Sequence, residues 1–314
     1  MPGDERILVI KHGGLGDWVL ATGCFAAIRR HHADARVTLL TAPAFADWGA
    51  RCGWFDEVWT DERPSVLAGP LAWLGLRRRL IEAGFARVYD LQGSGRTGLY
   101  FRMLPRRRRP EWSGIAAGCS HPHRNPERTR MHPVAFLAEQ LGIAGIDDVS
   151  APSLDWLDAG VEDLVPPGAF SLIVPGGSAH RPEKRWPAAR FAALAEELCG
   201  RGMPPVLVGA AAEASVLEEI ARRASDATDL GGRTGLDQIA ALARRARCAI
   251  GNDTGPMHIA ATAGCPSVVL FGAASDPERS APSGEAVTAL RRVPLAALPV
   301  GEVVDAVDRL PPRT

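Results

Sequence analysis

The 314-residue sequence has no net charge, no CxxC pair among its six cysteines and no apolar run long enough to cross a bilayer. Each absence excludes something. With 36 Lys and Arg against 36 Asp and Glu, no global field draws a nucleic acid, and no such partner is expected. The cysteines at 24, 52, 119, 199, 248 and 265, several inside apolar runs, read as buried reduced thiols. A bilayer span needs ~20 consecutive apolar residues, so no transmembrane segment is expected. The acidic, polar stretch Met1–Arg6 is unlike a signal peptide. A cytoplasmic location follows, with peripheral contact at a membrane surface left open. GxSxG, HExxH, Walker A and kinase signatures are also missing, which removes several enzyme classes.

What is present is an alternation. A 46% hydrophobic, 23% charged chain of this length suggests a soluble protein of two domains. Ile7–Ile10 is a short continuous apolar run, followed by the glycine-rich Lys11–Asp17 and by Trp18, Ala21, Phe25 and Ile28 at helical spacing. Glycines 13, 14 and 16 do not form GxGxxG, so a nicotinamide site is poorly supported. Strands are predicted near Val37–Leu40, Val58–Thr60 and Val88–Leu91, with a second glycine turn at Gln92–Gly95. From Pro105 to Pro133 the pattern dissolves into Pro, Arg, His and Gly, and an irregular loop is expected.

A loop-rich linker, 145–167, divides the chain into domains expected at 1–165 and 166–314. The second half restarts the rhythm with Ser171–Val174, the Pro175–Ser178 turn and further strands at Val206–Gly209, Cys248–Ile250 and Val268–Gly272. A terminal amphipathic helix, about 300–311, is left free to pack back on the first domain. Strands alternating with helices imply parallel sheets, whose ligands bind beyond the strands' carboxyl ends. The expected fold is α/β, two domains facing each other across a cleft.

Three groups of residues carry the candidate chemistry. Gly251–His258 reads as strand, turn and helix start, with Asp253 and Thr254 as caps, Gly255 easing the turn and Pro256 in the first helical turn. Such a helix start suits a phosphate; a capped helix without ligand is the plainer reading, and for His258 it is a buried core histidine. Lys184 and Arg185, beside Gly176 and Ser178, form either a diphosphate clamp or a surface pair. Asp17 either caps the helix that follows or serves as a general base. The arginines between 96 and 130, among them Arg106, Arg107, Arg124 and Arg128, make a basic segment opposed only by Glu111 and Glu127. It is either a solvated loop or a surface for an anionic partner. Cys119, His121 and His123 have weak spacing for a metal, and none is expected.

Three ordered motifs, ILVIKHGGLGD at 7–17, PGGSAHRPEKRWP at 175–187 and NDTGPMHIAATAGCPSVVLF at 252–271, resemble the bacterial heptosyltransferase family, the ADP-heptose:lipopolysaccharide glycosyltransferases of family 9. The resemblance implies a GT-B fold of two Rossmann-like domains and an inverting, metal-independent transfer using an ADP-sugar as co-substrate and no cofactor. It places the catalytic aspartate at Asp17 and the phosphate-binding lysine at Lys184. The donor turn falls at Asp253, Thr254, Gly255 and His258, with Glu213 near the ribose and Thr234 near the base. Gly13, Gly14 and the arginines fall to the acceptor, a lipopolysaccharide core precursor at the inner membrane. Where the family often has hydroxyl residues, this chain has His12-Gly13-Gly14, and Arg233 replaces a common lysine. A nucleotide-sugar epimerase and a non-catalytic nucleotide-sugar binding protein are the alternatives.

Overall fold

A computed structural model of the chain describes residues 5–177 and 181–313. They form two compact units, Met1–Pro152 and Ser153–Thr314. The division falls earlier than the linker composition suggests. Arg244 donates to the carbonyls of Leu157 at 2.7 Å and Leu154 at 2.6 Å, which fastens the linker to the second unit.

The first unit holds β1 (Arg6–Ile10), β2 (Arg36–Thr41), β3 (Glu57–Thr60), β4 (Arg87–Asp90), β5 (Glu111–Gly114) and β6 (His121–Pro122). The second holds β7 (Ser171–Val174), β8 (Pro205–Leu207), β9 (Thr228–Asp229), β10 (Cys248–Asn252), β11 (Ser267–Phe271) and β12 (Val287–Arg291). All neighbouring strands pair in parallel. The first sheet runs β3-β2-β1-β4-β5-β6 and the second β12-β11-β10-β7-β8-β9. Read from its other edge, the second repeats the first. Both follow the dinucleotide-fold order, in which connections leave in opposite directions from two central strands and open a crevice beyond their carboxyl ends. In the first unit those strands are β1 and β4, and in the second β7 and β10.

Burial on both faces explains why the central strands read as unbroken apolar runs. Along β7, Ile173 enters one core with Phe191, Leu194 and Leu198 of helix Ala188–Gly200. Leu172 and Val174 enter the opposite core with Leu242, Met257 and Ala260. The C-terminal helix Val300–Asp308 buries Val303, Val304, Ala306 and Val307 in the first of these, so its apolar face is taken up by its own unit.

The stretch 105–133 is not wholly irregular, because it supplies β5 and β6. Trp112, fully buried, anchors β5 against β4, where Val88 is its partner. Both strands are too short and too flanked by proline and arginine to show a period. The edge strand β12 was likewise hidden.

The approach of β7 to β10 depends on Gly251, which pairs with Val174. A β-carbon there would lie 2.6 Å from the Val174 carbonyl oxygen and 2.8 Å from Met257 Sδ. Gly251→Ala should therefore cost about 1–3 kcal/mol of stability by overpacking. Urea denaturation measures it, and an unchanged midpoint would contradict the described packing.

Candidate active site

In the second unit the candidate groups gather at the crevice of β7 and β10, and a buried amide holds them. Asn252, the last residue of β10, accepts a hydrogen bond from the Trp186 backbone N–H at 3.0 Å. Its Nδ2 donates to the carbonyls of Pro175 at 2.8 Å and Gly176 at 3.0 Å. These bonds join the turn after β7, the segment before helix Ala188–Gly200 and the end of β10.

Around that knot the charges are ordered. Lys184 closes a short 3-10 turn, Pro182–Lys184, and its Nζ lies 2.8 Å from Asp253 Oδ2. Arg185 donates to the Gly177 carbonyl at 2.6 Å, while its Nε is buried without a hydrogen-bond partner among the described residues. Glu213, just past β8, receives the Gly177 N–H at 2.7 Å and the Ala210 N–H at 2.8 Å. Gly176 makes this possible, since a β-carbon there would strike the Glu213 carboxylate at 2.1 Å.

Thr254 is the N-cap of helix Gly255–Thr262, and its hydroxyl donates to the Asn252 carbonyl at 3.3 Å rather than bonding the helix's own amides. Pro256 has no N–H and Met257 donates to the Thr254 carbonyl at 3.1 Å, so in this turn it is the Gly255 amide that an anion would meet. His258 lies buried one turn along. Thr234, in the turn after β9, keeps a buried hydroxyl with no partner among the described residues. Ser178 lies outside the described residues. A cavity of about 300 Å³ beside Lys184 is lined by Arg181, Ser275, Asp276, Arg279 and Ser280.

The first unit is built on the same plan with different chemistry. Gln92, after β4, accepts the N–H groups of His12 at 2.9 Å and Gly13 at 3.2 Å through one oxygen. Gly13 has φ +104°, and a β-carbon would overlap the Phe45 ring at 2.2 Å, so the loop demands glycine. His12 approaches Asp61 at 3.4 Å, and Tyr100 and Arg96 also bond that carboxylate. Burial opposes the Asp61 charge, but the nearby His12 ring and the hydrogen bonds from Tyr100, the Arg63 amide and Arg96 hold its carboxyl well below the usual range.

Helix Leu15–Leu20 begins after Gly14, which occupies the N-cap position. Asp17 therefore does not cap it. It lies in the first turn, exposed, with no hydrogen bond or ion pair among the described residues. Lys11 is buried nearby; burial lowers its pKa, partly offset by the Asp17 charge, and its Nζ donates to the Leu91 carbonyl at 3.1 Å.

Arg106 and Arg107 are exposed on a 3-10 turn, Arg106–Arg108. Arg124 is exposed and Arg128 half-buried. Cys119, His121 and His123 are spent separately, on the Gly114 carbonyl, Ser120 and Glu139. Among the described residues no group of three His, Cys, Asp or Glu is arranged to hold a metal. Asn252 and Gln92 received no role from sequence reasoning. The available signal was a carboxamide at or just beyond the end of an apolar strand.

Two substitutions test this account. Asn252→Asp keeps the shape but turns an oxygen toward two carbonyls, and should cost about 2–4 kcal/mol; wild-type stability in urea would contradict the bonding. Asp90, which ends β4 and accepts the Gly93 N–H at 3.0 Å, has its carboxyl pushed by burial from 3.8 to about 6. Because the folded value is raised, Asp90 contributes its stability below 3.8 and loses it as pH climbs through about 6. Asp90→Asn should thus exceed wild type by up to about 3 kcal/mol above pH ~7 and match it below pH ~4. Denaturation across pH reads the difference, and a pH-independent gap would refute it.

Residues 73–306 match the family model described as glycosyltransferase family 9 (heptosyltransferase). Over 122 residues the chain is 33% identical to lipooligosaccharide heptosyltransferase 2 of Haemophilus influenzae, covering 37% of this chain and 35% of that protein. The chain thus aligns with about a third of the length of that curated relative. In fold it is similar to a family 9 glycosyl transferase from Veillonella parvula, with TM-score 0.82 and 21% identity over 98% and 97% of the two chains. It is also similar to E. coli heptosyltransferase WaaC with ADP, with TM-score 0.75 and 17% identity over 96% and 99%. The two parallel-sheet units are the two Rossmann-like domains of the GT-B fold.

Proposed function

This chain belongs to glycosyltransferase family 9, the heptosyltransferases, and from that premise we propose that it moves a heptose, or a related sugar, from an ADP-sugar to a lipopolysaccharide core acceptor. Asp17 is the general base. The observation that carries this reading is its state: an exposed carboxylate, on a loop pinned by Gln92, with no internal partner among the described residues.

In the reaction the acceptor hydroxyl attacks the anomeric carbon while Asp17 takes its proton, and the bond to the diphosphate breaks on the opposite face, inverting the centre. ADP leaves carrying the new negative charge. Lys184, with N–H groups remaining beyond its bond to Asp253, and the amides of Thr254 and Gly255 stabilise that charge, with Arg185 fixing the turn beside them. Glu213 meets the ribose through lone pairs its backbone bonds leave open, and Thr234 lies toward the base. His258 and Gly176 shape the turns. Gly13, Gly14, Arg124 and Arg128 face the acidic groups of the acceptor, at the cytoplasmic side of the inner membrane. The cationic groups serve in place of a metal, and the E. coli enzyme of similar fold that holds ADP supports adenine as the donor base.

The test joins binding to turnover. ADP-sugars should raise the melting temperature where UDP- and GDP-sugars do not, since a bound ligand stabilises by RT ln(1 + [L]/Kd). Asp17→Asn should keep that shift and lose about 10²–10⁴-fold in kcat. Stabilisation by UDP-sugars alone overturns the ADP reading, and equal loss of donor binding makes Asp17 structural. Consumption of donor without acceptor would identify an epimerase.

A further inference from the structure

The first unit carries a surface that the transfer chemistry does not explain. From Pro64 to Leu76 the sequence contains no charged residue. Yet Leu67 is 95% exposed, Leu71 81%, Leu74 60% and Val66 49%. A lone exposed leucine is ordinary, whereas several together mark a contact surface. Leu71 and Leu74 lie three apart in the first turns of helix Pro70–Ala83, so they share a face, and Leu67 precedes them in the loop.

The shelf is held in place from behind. Trp73, on the inner side of the same turns, donates to the Pro64 carbonyl at 3.1 Å. Arg96 donates to that carbonyl at 2.8 Å and lies 4.6 Å above the Trp73 ring.

Charge stands beside it. Arg77, further along the helix, donates to the Met103 carbonyl at 2.9 Å, which brings the end of helix Gly95–Met103 and the turn Arg106–Arg108 alongside. Arg102, Arg106, Arg107 and Arg108 are exposed, and their side chains form no ion pair among the described residues. Arg78 and Arg79, by contrast, are answered by Glu82 and Glu57.

We propose that this surface docks on an anionic bilayer, with Leu67, Leu71 and Leu74 entering the headgroup–acyl boundary and Arg102 and Arg106–Arg108 meeting lipid phosphates. An apolar helix face beside basic residues has the composition of an interfacial helix. Charge selects the occupant: a second copy docking through the same patch would set four unpaired guanidinium groups against four more. The purpose of the docking rests on the transferase reading, since a lipopolysaccharide precursor is embedded in such a surface. The docking itself does not.

The full chain is sedimented, without donor or acceptor, with phosphatidylcholine vesicles and with the same vesicles containing phosphatidylglycerol. It should bind the second, less at high salt, with about a fivefold loss for each of Arg106, Arg107 and Arg108 changed to Gln. Leu67→Gln/Leu71→Gln/Leu74→Gln should lose about tenfold or more in partition and keep wild-type turnover on a water-soluble, deacylated acceptor. Because partition is read without turnover, a failed transferase assay leaves this result standing. Equal partition of wild type and leucine variant, or no binding to anionic vesicles, overturns the proposal. So does vesicle-independent dimerisation that the leucine variant abolishes.

Discussion

The second unit depends on one buried carboxamide. Asn252 spans three chain segments with three hydrogen bonds, and no hydrophobic residue could do so, because both a donor and an acceptor are needed at one point. Each bond contributes about 1 kcal/mol in net terms, but leaving its buried partners unmet costs more. The larger effect is geometric. With the Pro175–Gly177 turn and Trp186 fixed to the end of β10, Lys184 is delivered to Asp253 and Arg185 to the Gly177 carbonyl. Electrostatic groups act on a ligand only as well as their scaffold holds them.

Gln92 does comparable work in the first unit by another route. It lies beyond β4 and grips the loop after β1 through two backbone amides, whereas Asn252 ends its own strand and grips the turn after the other. The two sheets share an order, and the two central-strand crevices share a carboxamide clamp. What differs is what each clamp presents. In one unit the helix start and the lysine are cationic in character; in the other a carboxylate stands in the first turn without a partner among the described residues. This division of labour underlies the proposed base and the proposed leaving-group site.

The central strands were legible because burial on both faces writes them as continuous apolar runs, as in Ile7–Ile10 and Ser171–Val174. The glycine turns at their ends were equally plain. The edge strands β5, β6 and β12 were not, since two to five residues broken by polar or proline positions carry no readable period. Asp17 was legible as a candidate but not as a non-capping one: only the helix start at Leu15 decides that. Asn252 and Gln92 escaped because their partners lie 66 to 80 residues away, beyond any local pattern. The linker's allegiance was hidden for the same reason, in the reach of Arg244.

The Lys184–Asp253 pair has a consequence in protein chemistry. Of the 36 basic residues only Lys11 and Lys184 are lysines, one following β1 and the other beside the turn proposed to hold the donor. Lys11 is enclosed at 5% exposure, while the Lys184 side chain keeps 15%. Apart from the terminal amine, an acylating reagent in water therefore meets a single lysine in the folded chain. The arginine-rich surface is silent toward such reagents, so one covalent mark would report whether the turn at Asp253 is open or filled.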